Sequence, residues 1–337
     1  MAGAARLHTI HPSAPFLPTL VAALLDGRLI AGHVYRDDPL ALADLTIYLP
    51  TRRAVRLAGA AFRQAMGGAA LLPTIRAISD SFEDAEADEL STPAELDLPP
   101  EMTGAERQLI LTRLVTEWRR FVASDRLLTP SGEALAVPAS TADALRLAAD
   151  LLALMDQAAL EGVDWSGLRT LVPDEYAAWW QLTLTFLEIA AETLPAAIAE
   201  RGRIDPASRR RTVIADLARR WRERPPRGPV VVAGSTGSVS STAELMAAVL
   251  ALPAGAVVLP GLDLDGPADV FEAARDDPSH AQHTMACLLA RLGVGRDEVL
   301  NVVEPDDIGC RRARLVARAM VPAAFTDRWP AYRTDLE

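Results

Sequence analysis

The 337-residue chain is half hydrophobic with a net charge of −11, enough apolar side chain for a substantial core and enough length for two domains, or one domain with a large insertion. The acidic balance excludes a uniformly basic nucleic-acid binder but not a local basic stripe, and without an apolar run of 18 residues no membrane span is expected. Cys287 and Cys310 are too few for a disulfide framework, and the N-terminus shows no basic segment leading into an apolar one, so the expectation is a reduced, cytoplasmic protein without a secretion signal.

Residues 7 to 11 (LHTIH) and 45 to 49 (LTIYL) read as short buried strands. An amphipathic helix over roughly 16 to 26 separates them and ends near Gly27. Thr51 is placed to cap a helix over 52 to 66, which Gly67 and Gly68 stop. A third strand falls at 73 to 78. The acidic stretch Asp80 to Glu89 and the following STPAELDLPPE read as a solvated linker.

From about 103 to 222 the character changes to helix upon helix. Thr103 and Glu106 form a capping box ahead of Leu109, Ile110, Leu114, Trp118 and Phe121. Ser140 and Asp143 open another helix, Pro173 and Asp174 a third, and Asp205 a fourth over 206 to 222. Strands resume at 229 to 233 and 256 to 260, each followed by a helix. The simplest architecture is one parallel α/β domain split in sequence by a helical insertion.

The stretch VVVAGSTGSVSSTAEL, residues 230 to 245, has the strand, glycine loop and helix of a phosphate cradle or of a nucleophile elbow. The cradle pattern starts at Gly234 but meets Val239 and Ser240 where glycine and lysine belong; the chain has no lysine at all. The elbow pattern is approached by Ser235, with Asp263 and His280 or His283 following in hydrolase order. An elbow, however, turns straight from its serine into a helix, whereas Ser241 and Glu244 here suggest a capping box six residues later. A tight connection whose glycines permit positive φ fits the stretch better than either active site.

His280, His283 and Cys287 have helical spacing, but no second ligand cluster accompanies them, so helix-start chemistry capped by Asp277, Pro278 and Ser279 is expected rather than a metal site. Trp179 and Trp180 read as core or interface residues before they read as base-stacking ones. In LPTRRAVRLAGAAFRQ, Arg52, Arg56 and Arg63 fall within roughly 40° of one another on a helix, a single basic stripe. Arginines in a first turn oppose the helix dipole, a placement that makes sense where a phosphate is held; the other reading is a solvated basic face. The ASRRR run at Arg209 to Arg211 is a second basic face of weaker meaning.

The segments PFLPTL, LPTRRAVRLAGAAF, LLPTIRAISD, WWQLTLTFLEI, VVVAGSTGSVSSTAELMAAV, GAVVLPGLD and HTMACLLARLGV resemble, in this order, the AddB subunits of alphaproteobacterial AddAB helicase–nucleases. The resemblance covers nearly the whole chain and implies a P-loop, superfamily-1 helicase-like α/β domain formed by residues 1–90 and 225–310. A mainly helical insertion would occupy 100–224, and 311–337 would be a C-terminal segment. The chain reads as the N-terminal part of a longer AddB, with no counterpart of the second helicase-like half or of the nuclease. An iron–sulfur cluster would belong to that nuclease, and no cofactor is expected in this chain.

By the same resemblance, the loop holding the phosphate lysine would be HPSAPF, with Ser13 in it, and the Walker B aspartate would sit at Ala233, next to Gly234. Both ATP-handling positions are degenerate, so no catalytic residue is expected. LPTRRA resembles helicase motif Ia, which contacts the strand backbone in relatives, and so singles out Arg52, Arg53 and Arg56 together with the stripe's Arg63 as DNA-binding candidates. The implied partners are DNA and an AddA-like motor subunit. A regulatory DNA sequence is a further implied ligand without assigned residues. The alternatives from other classes are an esterase-like hydrolase using Ser235 and a protein-interaction scaffold without DNA contact.

Overall fold

The computed structural model describes residues 6–68, 71–78, 98–125, 140–161, 184, 186–304 and 306–334. The linker expected at 80–101 lies mostly outside them, and Trp179 and Trp180 wholly so. In chain order the described elements begin with β1 (Leu7–Ile10), α1 (Phe16–Leu25), β2 (Thr46–Leu49), α2 (Arg52–Ala65) and β3 (Thr74–Ala77). The helices α3 (Gly104–Asp125), α4 (Thr141–Glu161), α5 (Leu194–Ala199) and α6 (Pro206–Glu223) follow. The chain then returns to β4 (Val230–Ala233), α7 (Ser240–Leu250), β5 (Gly255–Pro260), α8 (Ala268–Ala274), α9 (His283–Leu292), β6 (Leu300–Asn301), α10 (Asp307–Ala319) and α11 (Trp329–Thr334).

Two compact units emerge: Met1–Pro93 with Val213–Glu337, and Ala94–Thr212. The second boundary falls inside α6 rather than after residue 224, and residues 311–337 group with the sheet.

The first unit is built on six parallel strands in the order β3-β2-β4-β5-β1-β6. Both faces of such a sheet are covered, which is why β4 (VVVA) is apolar throughout. Successive residues nonetheless divide. Ile10, Ile47, Leu49, Val231, Ala233, Ala256 and Val258 pack with α1 and α2 in one apolar layer. Their neighbours in sequence point the other way, where α7 packs on β4 and β5 and α9 on α7. The chain runs outward from β1 to β2 and β3, then back to β4 and β5 and past β1 to β6, so right-handed crossovers put α1 and α2 on one face and α7 on the other.

The helical unit has its own core of Leu111, Val115, Ala144, Ala148, Leu151 and Leu194, with Trp118 tilted against Phe186 at 4.9 Å. Its helix starts are fixed by side chains. Thr103 and Glu106 exchange hydrogen bonds as a capping box, Ser140 and Asp143 do the same, and Asp205 Oδ1 accepts the N–H groups of Ala207 and Ser208. Arg107, 5% exposed, directs Nη2 to Asp156 Oδ1 at 2.5 Å and Asp205 Oδ2 at 3.1 Å, tying α3 to α4 and to the cap of α6.

Candidate functional site

Ligands of open parallel sheets bind beyond the carboxyl ends of the strands, where neighbouring chain connections leave to opposite faces. Three candidate loops share that edge here: those after β1, β2 and β4.

The loop after β1 is His11–Pro15. Pro12 and Pro15 have no N–H to offer. The N–H of Ser13 donates to His11 Nδ1 at 3.2 Å, and that of Ala14 to the His11 carbonyl at 3.0 Å. Within this loop the Ser13 and Ala14 amides are therefore engaged, and the two prolines have none. Ser13 Oγ sits 2.7 Å from His11 Nδ1. The start of α10 lies against the same serine: a β-carbon on Gly309 would come within 2.5 Å of Ser13 Cβ. Asp306 fixes that helix start by accepting the Gly309 N–H at 2.6 Å. With no lysine in the chain, the residues present do not fit a nucleotide's phosphates.

The loop after β4 is spent on folding. Ala233 is fully buried in the layer facing α1 and α2, a methyl group in an apolar core. Gly234 follows at φ +79°, its N–H donating to the Val258 carbonyl at 2.9 Å. Ser235 Oγ accepts the Gly237 N–H at 3.2 Å. Gly237 has φ +69°, and a β-carbon there would lie 2.8 Å from Leu288 of α9, so the turn and the packing each require glycine. The expected box of Ser241 and Glu244 does not form. Val239 is the N-cap, its carbonyl accepts the N–H groups of Thr242 and Ala243, and Ser241 lies inside a buried first turn. Burial of Ser241, Thr242 and Ala243, not a side-chain cap, sets this helix start.

The hydrolase constellation is not brought together. Asp263 Oδ1 accepts from the amides of Asp265 and Gly266, His280 Nδ1 from that of Gln282, and His283 Nδ1 lies 3.2 Å from the Ala274 carbonyl. Asp277's carboxyl is held below its ordinary pKa chiefly by the Ser279 hydroxyl and then the Ser279 amide. That Asp277–Ser279 turn also does not cap α9, as the sequence suggested; the helix begins later, at His283, after Gln282. Cys287 Sγ lies 3.9 Å from the His283 ring nitrogens, and among the described residues no group of three potential metal ligands forms.

The loop after β2 is different in kind. Pro50 and Thr51 lead into α2, where Thr51 Oγ1 accepts the Ala54 N–H at 3.2 Å. The first turn contains no acidic residue. Ala58, Gly59 and Phe62 form the buried face of α2, while Arg52, Arg53, Arg56 and Arg63 are exposed. Three guanidinium groups thus stand at the positive end of a helix dipole, at the carboxyl edge of the sheet. By contrast Arg209 of the second basic run is largely buried and pairs with Glu101 at 3.8 Å.

Sequence reasoning missed a concavity at the same edge. A cavity of about 990 Å³ opens between the ends of β1 and β6, the loop after β5, and α10. His11 and Asn301 line it. The only local hint was a histidine in HPSAPF, because the two-residue strand β6 is too short to show a period.

No protein-family model matches the chain, and no curated protein matches its sequence. What the structure defines is a class: an α/β protein on a six-stranded, all-parallel sheet, in which no described helix is long and apolar enough to cross a membrane.

Proposed function

We propose that the chain is an ATPase-silent, DNA-contacting and scaffolding part of a double-strand-break repair helicase–nuclease, an AddB-like subunit working with an AddA-like motor. The observation that carries the proposal is the exposed cluster of Arg52, Arg53 and Arg56 at the mouth of α2. It stands on a sheet edge whose first loop has no lysine or arginine, two prolines without an N–H, and its Ser13 and Ala14 amides already engaged. Guanidinium forks and helix-end amides converge on phosphate oxygens without reading bases, so the cluster suits backbone tracking.

The test is a salt titration of single-stranded oligonucleotide binding, in the assembled complex with the motor subunit. Replacing Arg52, Arg53 and Arg56 together by alanine flattens the slope of log K against log salt by roughly 0.7 for each phosphate no longer neutralised, equally for all sequences. Identical slopes and affinities for a folded variant overturn the DNA reading. They would leave the scaffold without DNA contact, which the exposed apolar side chains of Ile308 and Val316 on α10 favour. A companion titration with a fluorescent ATP analogue and magnesium is expected to show no competable micromolar binding.

A further inference from the structure

The cavity beside the closed first loop has a chemistry of its own, which does not depend on the reading of the arginine cluster. Thr9 and Asn301 are paired across β1 and β6, so their side chains share a face of the sheet, and His11 lies two residues on, on that same face. All three line the cavity. Thr9 is spent: Oγ1 donates to the Leu259 carbonyl and accepts the Leu262 N–H. The other two retain polar atoms without partners among the described residues.

His11 is 7% exposed. Its Nδ1 lies 2.7 Å from Ser13 Oγ and 3.2 Å from the Ser13 amide; in the neutral tautomer whose Nδ1 accepts that N–H, Nε2 is left as a donor. Among the described residues nothing accepts from that Nε2–H. Asn301 Oδ1 is buried and has no hydrogen-bond partner among the described residues. A buried acceptor such as Asn301 Oδ1 is seldom left so, and the His11 ring stands beside it at the end of the adjacent strand on one wall. Apolar side chains flank them, Val270 and Phe271 of α8 on one side and Ile308 and Val316 of α10 with Met320 just beyond it on the other, the last three partly open to solvent. The volume suits a small ligand.

The lining does not suit an anion. Four carboxylates, from Asp263, Asp265, Glu304 and Asp306, face three guanidiniums, from Arg312, Arg314 and Arg318. The Ser13 and Ala14 amides of the adjoining loop are engaged, as described above. We therefore infer that this cavity binds an uncharged, planar molecule with a carbonyl or ring-nitrogen acceptor beside an N–H donor, of the chemical class of a free nucleoside. The ligand's acceptor takes the His11 Nε2–H, its N–H donates to Asn301 Oδ1, and its flat faces lie between the apolar walls. Phosphates add nothing to its binding.

The experiment is calorimetric titration of the full chain with inosine, whose lactam edge offers that pair. Saturable binding is expected, unchanged between low and high salt and no tighter for inosine triphosphate. 1-Methylinosine, with the N–H blocked, is expected to bind at least about tenfold more weakly, because a site built to receive a donor rejects an analogue lacking it. His11→Phe and Asn301→Leu should each weaken inosine by about tenfold. The methylated analogue tests the same hydrogen bond on the unaltered protein if either variant fails to fold. No saturable binding up to about 5 mM, equal affinity for 1-methylinosine, or binding of the base only within an oligonucleotide would each overturn the inference.

Discussion

In the helical unit, Arg107 is 5% exposed and shares one nitrogen between Asp156 and Asp205. In the sheet unit, Arg53, Arg56 and Arg63 project from α2 into solvent, on a helix whose first turn has no carboxylate. The chain has no lysine, so residue type cannot separate cations that hold the fold from cations available to a partner. Environment separates them. A guanidinium withdrawn from water stays charged and needs carboxylates to compensate its desolvation, so Arg107 serves the fold. An exposed guanidinium adds little stability even when paired, so the α2 cluster has no comparable structural reason to gather at a helix mouth.

The largest effect expected from this contrast is at Arg107. Arg107→Met leaves Asp156 and Asp205 without their shared cation, and removing one partner from a fully buried pair costs about 3–5 kcal/mol. Asp156 is 47% exposed and Asp205 23%, so solvent recovers part of that loss. The expected destabilisation is about 2–3 kcal/mol, read from the urea midpoint of helix loss. Arg56→Met, the same replacement on the α2 stripe, should stay within about 0.5 kcal/mol of the parent. Equal losses at the two positions would break the division between fold and partner arginines.

A smaller effect separates a buried base of the sheet unit from those exposed arginines. His8 is 4% exposed, its Nε2 lies 3.3 Å from the Leu29 carbonyl, and burial pushes its pKa below the ordinary 6.5. The unfolded chain takes up a proton at the ordinary value while the folded chain resists it. The stability due to neutral His8 is therefore fully present above about pH 6.5. It is lost as pH falls toward the lowered folded value, by at most about 1.4 kcal/mol per pH unit. Asp26, Asp269 and Asp277, held below the carboxylate range by Arg36, Arg328 and Ser279 respectively, act only nearer pH 4. Urea midpoints between pH 7.5 and 5.5 should thus show a limb that His8→Gln flattens and that alanine replacements on α2 leave in place.

The same physics explains what the sequence disclosed. Parallel strands buried on both faces are continuous apolar runs, so β1, β2, β4 and β5 stand out; side-chain caps are local, so Thr51, Thr103 with Glu106, Ser140 and Asp205 mark helix starts. Where packing sets the start instead, the local signal misleads, as at Ser241. Relations over long separations leave no local trace. Arg107 meets Asp156 across 49 positions, and His11 shares a sheet face with Asn301 only because β6 docks on β1. The exposed arginines were legible because a stripe is a property of one helix; that the buried ion-pair hub forms elsewhere, around Arg107, was not.

The smallest expected effect is the sharpest test of what the α2 cluster contributes. Replacing Arg52, Arg53 and Arg56 by lysine keeps three positive charges at the helix mouth but removes the planar forks. Salt dependence counts the charges that displace counterions, so the slope of log K against log salt should match the parent. On the DNA-contacting reading proposed above, affinity for DNA should fall only a few-fold, because each ammonium would still neutralise a phosphate but position it less firmly. Fold stability should move little, since Arg52, Arg53 and Arg56 are all exposed. Arg107→Lys is the matching control: one compact ammonium must replace a guanidinium reaching two carboxylates on separate elements, so stability should fall measurably. If the lysine variant of α2 instead loses as much slope as the alanine variant, charge is not what the cluster supplies. If it loses stability as Arg107→Lys does, the α2 arginines belong with Arg107 to the fold, and the strand is held elsewhere.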